Sequence, residues 1–251
     1  MSTSHHSGNS SPNGTSHHNG NGRHGKEVCS DCKVRFISIC SALESCELAE
    51  FDALTQKVTF EPRASLFAQD QPADAVYNLT EGVVRLYKLL PDGRRQIIGF
   101  ALPGDFLGLA MAERYGFSAD AVDSVVACRF AREDFAHYLD AKPHLLRRLH
   151  EYTTHELSLA QDQMVLLGRR TAEEKVATFL VNWRDRWAHL TGKAVTVPLP
   201  MSRQDIADFL GLTIETVSRT FSRLGKDKTI LIVPDGIRVL DPQRMERLAA
   251  A

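Results

Sequence analysis

Four of the five cysteines in this 251-residue chain lie within its first fifty residues, at spacings that suit a soft metal. Cys29 and Cys32 form a C-x2-C pair whose two thiolates can bind one centre, and Cys40 follows after seven residues. We see neither a secretory signal nor a spanning segment, so thiolate ligation is favoured over disulfides. Zinc normally takes a second close pair of ligands, whereas an iron–sulfur cluster accepts irregular spacing and a distant fourth ligand.

The remaining cysteines have simpler interpretations when only their neighbours are considered. Cys128 lies far along the chain in the strand-like segment SVVACRF, where apolar neighbours indicate an ordinary core cysteine. Cys46 precedes ELAEF, which reads as the first turn of an amphipathic helix, so a structural role is expected there.

A second set of residues, spaced for one face of a helix, could read the base edges of DNA. Glu215, Ser218 and Arg219 stand at i, i+3 and i+4 and are therefore neighbours on one strip, here called the reading face. An arginine fork can donate to O6 and N7 of guanine, a carboxylate can accept from N4 of cytosine, and serine reaches a base or a phosphate. Further candidates for DNA contact are Ser202, Arg203, Thr213, Thr216 and Arg223. A helical hairpin with an exposed Glu215–Arg219 ion pair is the alternative.

The reading face needs a helix-turn-helix to position it, and the local sequence supplies the signals for one. Ser202 with Asp205 three residues later predicts a capped helix start, and Gly211 suits a tight turn. Thr213 can cap a second helix. The apolar positions of that second helix are Val217, Phe221 and Leu224. Short strands in VTVPLP and ILIVPDGIRVL, the latter a hairpin, flank the two helices and make the arrangement winged.

The segment from about Val58 to Phe130 consists of short apolar or alternating runs separated by turn residues, among them PDG. This pattern predicts an antiparallel barrel or double-sheet roll, whose interior could hold a small molecule.

A long amphipathic helix should follow over residues 143–168, because apolar residues recur there at 3–4 spacing. A stripe longer than a small barrel can cover favours pairing with a second copy of the chain, as in a coiled-coil seam. Packing against the protein's own barrel is the competing explanation. The predicted dimerisation residues are Leu145, Leu149, Tyr152, Leu159 and Leu166. A further helix should start at Thr171.

Composition limits the classes of protein. A net charge of −1 offers no overall attraction to DNA, so a reader must use a local patch such as Arg219, Arg223, Lys226 and Lys228. Residues 1–25 are almost wholly polar and are expected to be disordered, with their histidines solvated rather than metal-binding. The absence of membrane and export signals makes the cytoplasm the default.

In this order, the cysteines, barrel, long helix and winged helix-turn-helix resemble the CRP/FNR superfamily of transcription regulators. The C-x2-C-x7-C motif and E-T-V-S-R in the second helix resemble the FNR branch, of FnrN/FixK type. The resemblance implies an α+β fold: an N-terminal double-stranded β-helix barrel of cyclic-nucleotide-binding type (26–142), a dimerisation helix (143–168) and a winged helix-turn-helix (169–251). It also implies a [4Fe–4S] cluster on Cys29, Cys32, Cys40 and Cys128.

By the same resemblance, the protein would be an oxygen-responsive activator that under low oxygen binds palindromic TTGAT-type operators as a homodimer and contacts RNA polymerase. A CRP/FNR-fold regulator that senses redox state or a small molecule without a cluster is the alternative. Cyclic nucleotide is not expected, because Leu109 and Phe117 stand where the family's nucleotide-binding branch has an acid and an arginine. A cysteine enzyme is disfavoured, because the ordered cysteine run has no histidine nearby and the chain lacks a phosphate-binding glycine loop.

Overall fold

Two four-stranded antiparallel sheets form the N-terminal domain of the computed structural model, which describes residues 29–109, 113–192 and 195–250. The strands are β1 Thr55–Phe60, β2 Ser65–Phe67, β3 Ala75–Glu81, β4 Val84–Leu89, β5 Arg95–Ala101, β6 Phe106–Leu107, β7 Ser118–Ala121 and β8 Val125–Ala131. One sheet has the order β1-β8-β3-β6 and the other β2-β7-β4-β5. The predicted double-sheet roll is confirmed, with the PDG turn joining β4 to β5. The strands β2 and β7 are too short to show alternation in the sequence.

Strands β3 and β8 are buried on both faces, which explains their almost continuous apolar sequences. Leu79 and Ala127 point into the roll, whereas Val76 and Phe130 point outward. Three helices and residues 29–47, here called the cysteine segment, cover that outer face. The helices are α1 Leu48–Ala53, α2 Arg132–Asp140 and α3 Pro143–Arg169. The start of α2 has no signal in the sequence, since Ala131 at its N-cap offers no side-chain acceptor.

The long helix α3 has the predicted length, but its apolar residues divide between two directions. Leu145 and Leu166 are buried in the protein's own core, and the Tyr152 hydroxyl accepts the Phe106 N–H at 3.1 Å. The prediction that Leu145 and Leu166 lie in a dimer seam is therefore wrong, because residues of the same protomer already bury both side chains. The exposed apolar residues of α3 are Leu146, Leu157, Leu159, Met164 and Val165.

The C-terminal domain is a winged helix-turn-helix, as the sequence predicts. Its elements are α4 Ala172–Thr191, β9 Val197–Pro198, α5 Arg203–Leu210, α6 Ile214–Lys226, β10 Ile230–Val233, β11 Gly236–Val239 and α7 Pro242–Ala250. Ser202 and Asp205 form the expected capping box, and Gly211 ends α5 in the left-handed conformation, with φ 61°. Thr213 caps α6. Strands β10, β11 and β9 form the wing.

Polar contacts join the two domains. Arg95 of β5 binds Asp205 and Asp208 of α5, each at 2.7 Å, and Arg85 of β4 also reaches Asp205. Arg186 of α4 forms a 2.5 Å ion pair with Asp105 of the roll. The first helix of the helix-turn-helix is thus held against one sheet of the N-terminal domain.

Among the described residues, none of the helices combines the length and hydrophobicity that crossing a bilayer requires. The predictions for the polar tail 1–25 and its histidines lie outside the described residues.

Candidate metal centre and nucleic-acid interface

The four cysteines predicted as metal ligands meet in one cavity on the outer face of the β1-β8-β3-β6 sheet. The lining residues are Cys29, Cys32, Arg35, Cys40, Phe51, Thr55, Asn78, Cys128 and Phe130. This group is called the cysteine cavity below. It brings together sulfur atoms from residues almost a hundred positions apart in the chain.

Short 3₁₀ turns position Cys29 and Cys40, and a strand positions Cys128. Cys29 begins a 3₁₀ turn that ends at Asp31, and Cys40 lies in a second 3₁₀ turn, Ile39–Ala42. Ser38 caps that second turn by accepting the Cys40 N–H at 3.2 Å. Cys128 lies in the middle of β8 between β1 and β3, so its backbone is fixed on both sides.

Burial disfavours the ionised form of three of the four thiols. Burial raises the pKa of Cys29 and of Cys128 to about 12 and that of Cys40 to about 11. The Asp52 carboxylate raises the Cys29 pKa further by accepting the Sγ hydrogen at 3.4 Å. Thiols must lose their protons to ligate a metal, so iron at this place would release protons on binding.

Two polar atoms in the cysteine cavity are orphaned, and one of them, Arg35 Nε, is a donor that can face sulfur. Asn78 Oδ1 and Arg35 Nε are buried and have no hydrogen-bond partner among the described residues. Such atoms are rare in proteins and call for an explanation. No three His, Cys, Asp or Glu side chains of the described part of the chain are arranged as ligands of a single ion. A cluster has a different requirement, because it presents a separate iron to each thiolate. The donor set therefore fits an iron–sulfur cluster.

Cys46 lies outside this constellation. It is exposed, with its Sγ 3.7 Å from Glu44 Oε2, and it precedes α1 by two residues. The structure thus separates the four candidate ligands from the fifth cysteine.

The reading face is exposed along α6. Glu215, Ser218 and Arg219 all point to solvent, while Val217, Phe221 and Leu224 are buried beneath them. Arg219 Nη2 donates to Thr216 Oγ1 at 3.4 Å. The Glu215 pKa is lowered because the carboxylate accepts its own backbone N–H, with Thr213 and Arg219 adding to the effect. A carboxylate and a guanidinium are therefore presented together, as base reading requires.

The other predicted DNA contacts have different surroundings. Ser202 is exposed but accepts the Asp205 N–H, and Thr213 similarly caps α6. Arg203 is half-buried, with its guanidinium 3.3 Å from the Phe221 ring centroid, and burial lowers its pKa. Arg223 is held by Glu173 of α4 at 2.5 Å. Arg203 thus supports α6 from below, and Arg223 must leave an ion pair before it can bind a phosphate.

A second cavity, of about 550 Å³, lies between the roll, α3 and α4. Leu109 and Phe117 are in its lining, and Arg186 is the single cation among the described lining residues. That guanidinium is already engaged by the Phe100 carbonyl at 2.7 Å and by Asp105.

Sequence reasoning missed Arg35, Asn78 and Glu47. Asn78 is an isolated polar residue within the apolar strand AVYNL, which was the available signal for a buried polar role. Glu47 binds Lys142 at 2.9 Å and His144 at 2.9 Å, which joins the cysteine segment to the start of α3. The local sequence around Glu47 does not predict its contacts with Lys142 and His144.

Two family profiles match the chain. The profile described as "Bacterial regulatory proteins, crp family" matches residues 199–230, and the profile of the cyclic nucleotide-binding domain matches residues 57–142.

Similar proteins of known type span nearly the same length. The transcriptional activatory protein AadR of Rhodopseudomonas palustris is 61% identical over 220 residues, covering 88% of this chain and 92% of that protein. The nitrogen fixation regulation protein FixK of Bradyrhizobium diazoefficiens is 56% identical, covering 89% and 94%. The solved structure of FixK2 from Bradyrhizobium japonicum superposes with a TM-score of 0.74 at 38% identity, covering 78% of this chain and 98% of that one.

Proposed function

This chain belongs to the CRP/FNR family of bacterial transcription regulators, and from that membership we propose that it is an oxygen-responsive activator that holds a [4Fe–4S] cluster. It is a DNA-binding regulator and not an enzyme. The finer assignment concerns what it senses and how it responds.

The observation that supports a cluster is the convergence of Cys29, Cys32, Cys40 and Cys128 in one cavity, where Cys40 is buried and the other three are partly exposed. Four thiolates are the usual ligand set of such a cluster, and Arg35 Nε, which has no acceptor among the described residues, is an N–H donor that can face sulfur. Bound in this cavity, the cluster would supply sensitivity to oxygen, because its iron and sulfide can be oxidised.

The chain itself carries the response from the cysteine cavity to α3. Ile39 and Leu43, on either side of Cys40, pack in the same apolar cluster as Leu145 at the start of α3. The Glu47 contacts with Lys142 and His144 add a polar connection between the same two segments. A change in how the cysteine segment is held is therefore transmitted to the helix.

The exposed middle of α3 is where a second protomer would bind. Every residue of the stretch 153–162 is exposed, including Leu157 and Leu159. An isolated helix in water gains little from its own hydrogen bonds, so a partner helix would stabilise this stretch. Two copies of α6 held about 34 Å apart would reach successive major grooves of a palindromic TTGAT-type operator. RNA polymerase is the further partner of such an activator.

The test is the metal content of anaerobically purified protein. Wild type should carry iron and acid-labile sulfide in equal amounts, about four of each per chain. Cys128→Ala should lose both, because it removes one of the four ligands while leaving the apolar strand β8 intact.

Cys46→Ala is the matched control, since Cys46 is exposed and lies outside the cysteine cavity. It should retain iron and sulfide at the wild-type level. Equal iron in wild type and Cys128→Ala would contradict the proposal.

The second cavity supports one alternative, in which the same fold senses a small molecule or the thiols undergo redox chemistry without a cluster. Absorbance and metal analysis of the anaerobic protein separate the two proposals. A cyclic nucleotide is not the expected ligand in either case, because a phosphodiester would need a cation and Arg186 is already paired with Asp105. Calorimetric titration with cyclic AMP should show no binding.

A further inference from the structure

Two polar side chains share the cysteine cavity with the thiols. Asn78 is 2% exposed, and its Nδ2 donates to Cys40 Sγ at 3.6 Å, while its Oδ1 has no partner among the described residues. Arg35 donates from Nη2 to the Leu43 carbonyl at 3.3 Å, yet its buried Nε has no acceptor within the described part of the chain. Leaving buried polar groups unpaired costs stability, so both side chains need a reason to be there.

The backbone fixes both residues beside the cysteines. Asn78 on β3 lies directly opposite Cys128 on β8, so the two side chains are on the same face of the sheet. Arg35 lies in the seven-residue segment between Cys32 and Cys40, and its backbone N–H donates to the Cys32 carbonyl at 3.2 Å. An N–H donor therefore contacts the Cys40 sulfur, and the side chains of Asn78 and Arg35 line the same cavity as the other three thiols.

We propose that Asn78 and Arg35 are the hydrogen-bond donors of the cysteine cavity, which hold the sulfur atoms of the bound cluster and stabilise its negative charge. This inference rests on the proposed function, since it needs the cluster to be present. Four thiolates on a [4Fe–4S]²⁺ core form a dianion, and N–H donors and a guanidinium stabilise a dianion in a buried site. They stabilise the further negative charge of the reduced state even more, which raises the reduction potential.

The decisive variant is Asn78→Leu, which keeps the number and branching of the side-chain heavy atoms but has no N–H donor. The matched control is Thr80→Val, on the same strand, which removes the donor to the Val126 carbonyl but touches no cysteine. Both variants are purified anaerobically as full-length chains, and iron and sulfide are measured first. The cluster's visible absorption is then followed after mixing with air-saturated buffer, and its one-electron midpoint potential is measured without oxygen.

In Asn78→Leu we expect the absorption to bleach roughly tenfold faster than in wild type and the midpoint potential to become more negative. Thr80→Val should match wild type in both. The cluster-free form of Asn78→Leu should melt no lower than the cluster-free wild type, because the substitution removes a buried acceptor that lacks a partner.

Arg35 is tested by the pair Arg35→Leu and Arg35→Lys. Arg35→Leu loses both the charge and the donors, so its cluster should bleach faster than that of wild type. Arg35→Lys keeps the charge, so its bleaching rate should lie between those of wild type and Arg35→Leu. Equal rates for the two variants would show that the guanidinium charge has no effect on the cluster.

The outcomes separate this inference from the proposed function. Wild type without iron and sulfide would overturn both. Wild type and Asn78→Leu with the same iron, bleaching rate and potential would overturn the inference alone. An Asn78→Leu protein that cannot hold iron supports the inference if its cluster-free form melts like wild type, and contradicts the role of Asn78 if that form is itself destabilised.

Discussion

Arg219 stands on the exposed face of α6, where its guanidinium makes one long contact, the 3.4 Å donation to Thr216 Oγ1. Little has to be broken before this side chain binds a base. Arg223, one turn further along, differs because its guanidinium is already in a 2.5 Å ion pair with Glu173. We therefore expect α6 to obtain its DNA sequence discrimination from Arg219.

Arg219→Ala should cost about 1–3 kcal/mol in binding to the TTGAT-type operator, mainly as lost discrimination at the guanine. The measurement compares the affinities of wild type and variant for the operator and for a duplex with that guanine replaced. A variant that keeps the wild-type ratio between the two duplexes would show that another residue reads the guanine.

Lys226→Ala is the companion variant, because Lys226 is exposed near the end of α6 and outside the reading face. If Lys226 binds phosphate, its removal should weaken binding to both duplexes alike and reduce the salt dependence by about one unit of slope. A change in the ratio between the duplexes would contradict a phosphate role.

The sequence predicted residues whose chemistry depends on near neighbours. Ser202 and Thr213 each accept the backbone N–H of the residue three positions further along, and Asp205 bonds back to Ser202. Local spacing was therefore sufficient to find these capping residues. Asn78 and Arg35 acquire their importance from contacts made across the fold, Asn78 with a sulfur 38 residues away. No local pattern contains that information.

Glu47 connects the start of α1 to the start of α3. Its carboxylate accepts the backbone N–H of Glu44 at 2.9 Å and also binds Lys142 and His144. These contacts, the Glu44 N–H first, lower the Glu47 pKa from 4.5 to about 2. The ionised carboxylate is therefore favoured in the folded protein.

Glu47→Gln should destabilise the protein most near neutral pH. The folded pKa is below the unfolded one, so the stabilisation by ionised Glu47 is complete above about pH 4.5 and is lost as the pH falls towards about 2. The difference in melting temperature between wild type and Glu47→Gln should therefore shrink over that range.

Glu50→Gln is the control, because Glu50 also contacts Lys142, at 3.3 Å, but is largely exposed. Its melting temperature should differ little from wild type at any pH. A Glu47→Gln difference that is independent of pH would contradict the role given to the Glu47 charge.

For α3 the sequence predicted the helix correctly but assigned Leu145 and Leu166 to the wrong contact. The apolar spacing over residues 143–168 predicted the helix, and Pro143–Arg169 is helical. The same residues contain two apolar stripes along the helix. Only the folded structure shows that the stripe with Leu145 faces the protein's own core. The stripe through Leu146, Leu157 and Met164 is exposed in the single chain.

The structure places the cysteine cavity, a helix with an exposed apolar stripe and the exposed reading face in one chain. The first two are joined through the apolar cluster around Leu145. The third is held to the roll by the contacts of Arg95 with α5. Two-fold pairing through α3 would place two reading faces on one operator, which converts two weak contacts into one strong one.

Leu157→Asp should separate the protomers, because Leu157 is 58% exposed in the single chain and would be buried between two helices in a dimer. Sedimentation of the anaerobic protein should show a monomer that keeps its iron and sulfide, and operator affinity should fall by about a hundredfold.

Ser158→Asp adds the same charge one residue further along, on another side of α3, and should remain dimeric. If both variants stay dimeric, the seam lies elsewhere.

The most direct test is the operator affinity of one anaerobically purified sample, measured before and after exposure to air, with iron and sulfide assayed at both points. We predict tight binding with iron present, and an affinity at least about a hundredfold weaker once the cluster is lost. A protein without iron that binds the operator equally well in both conditions would contradict the account.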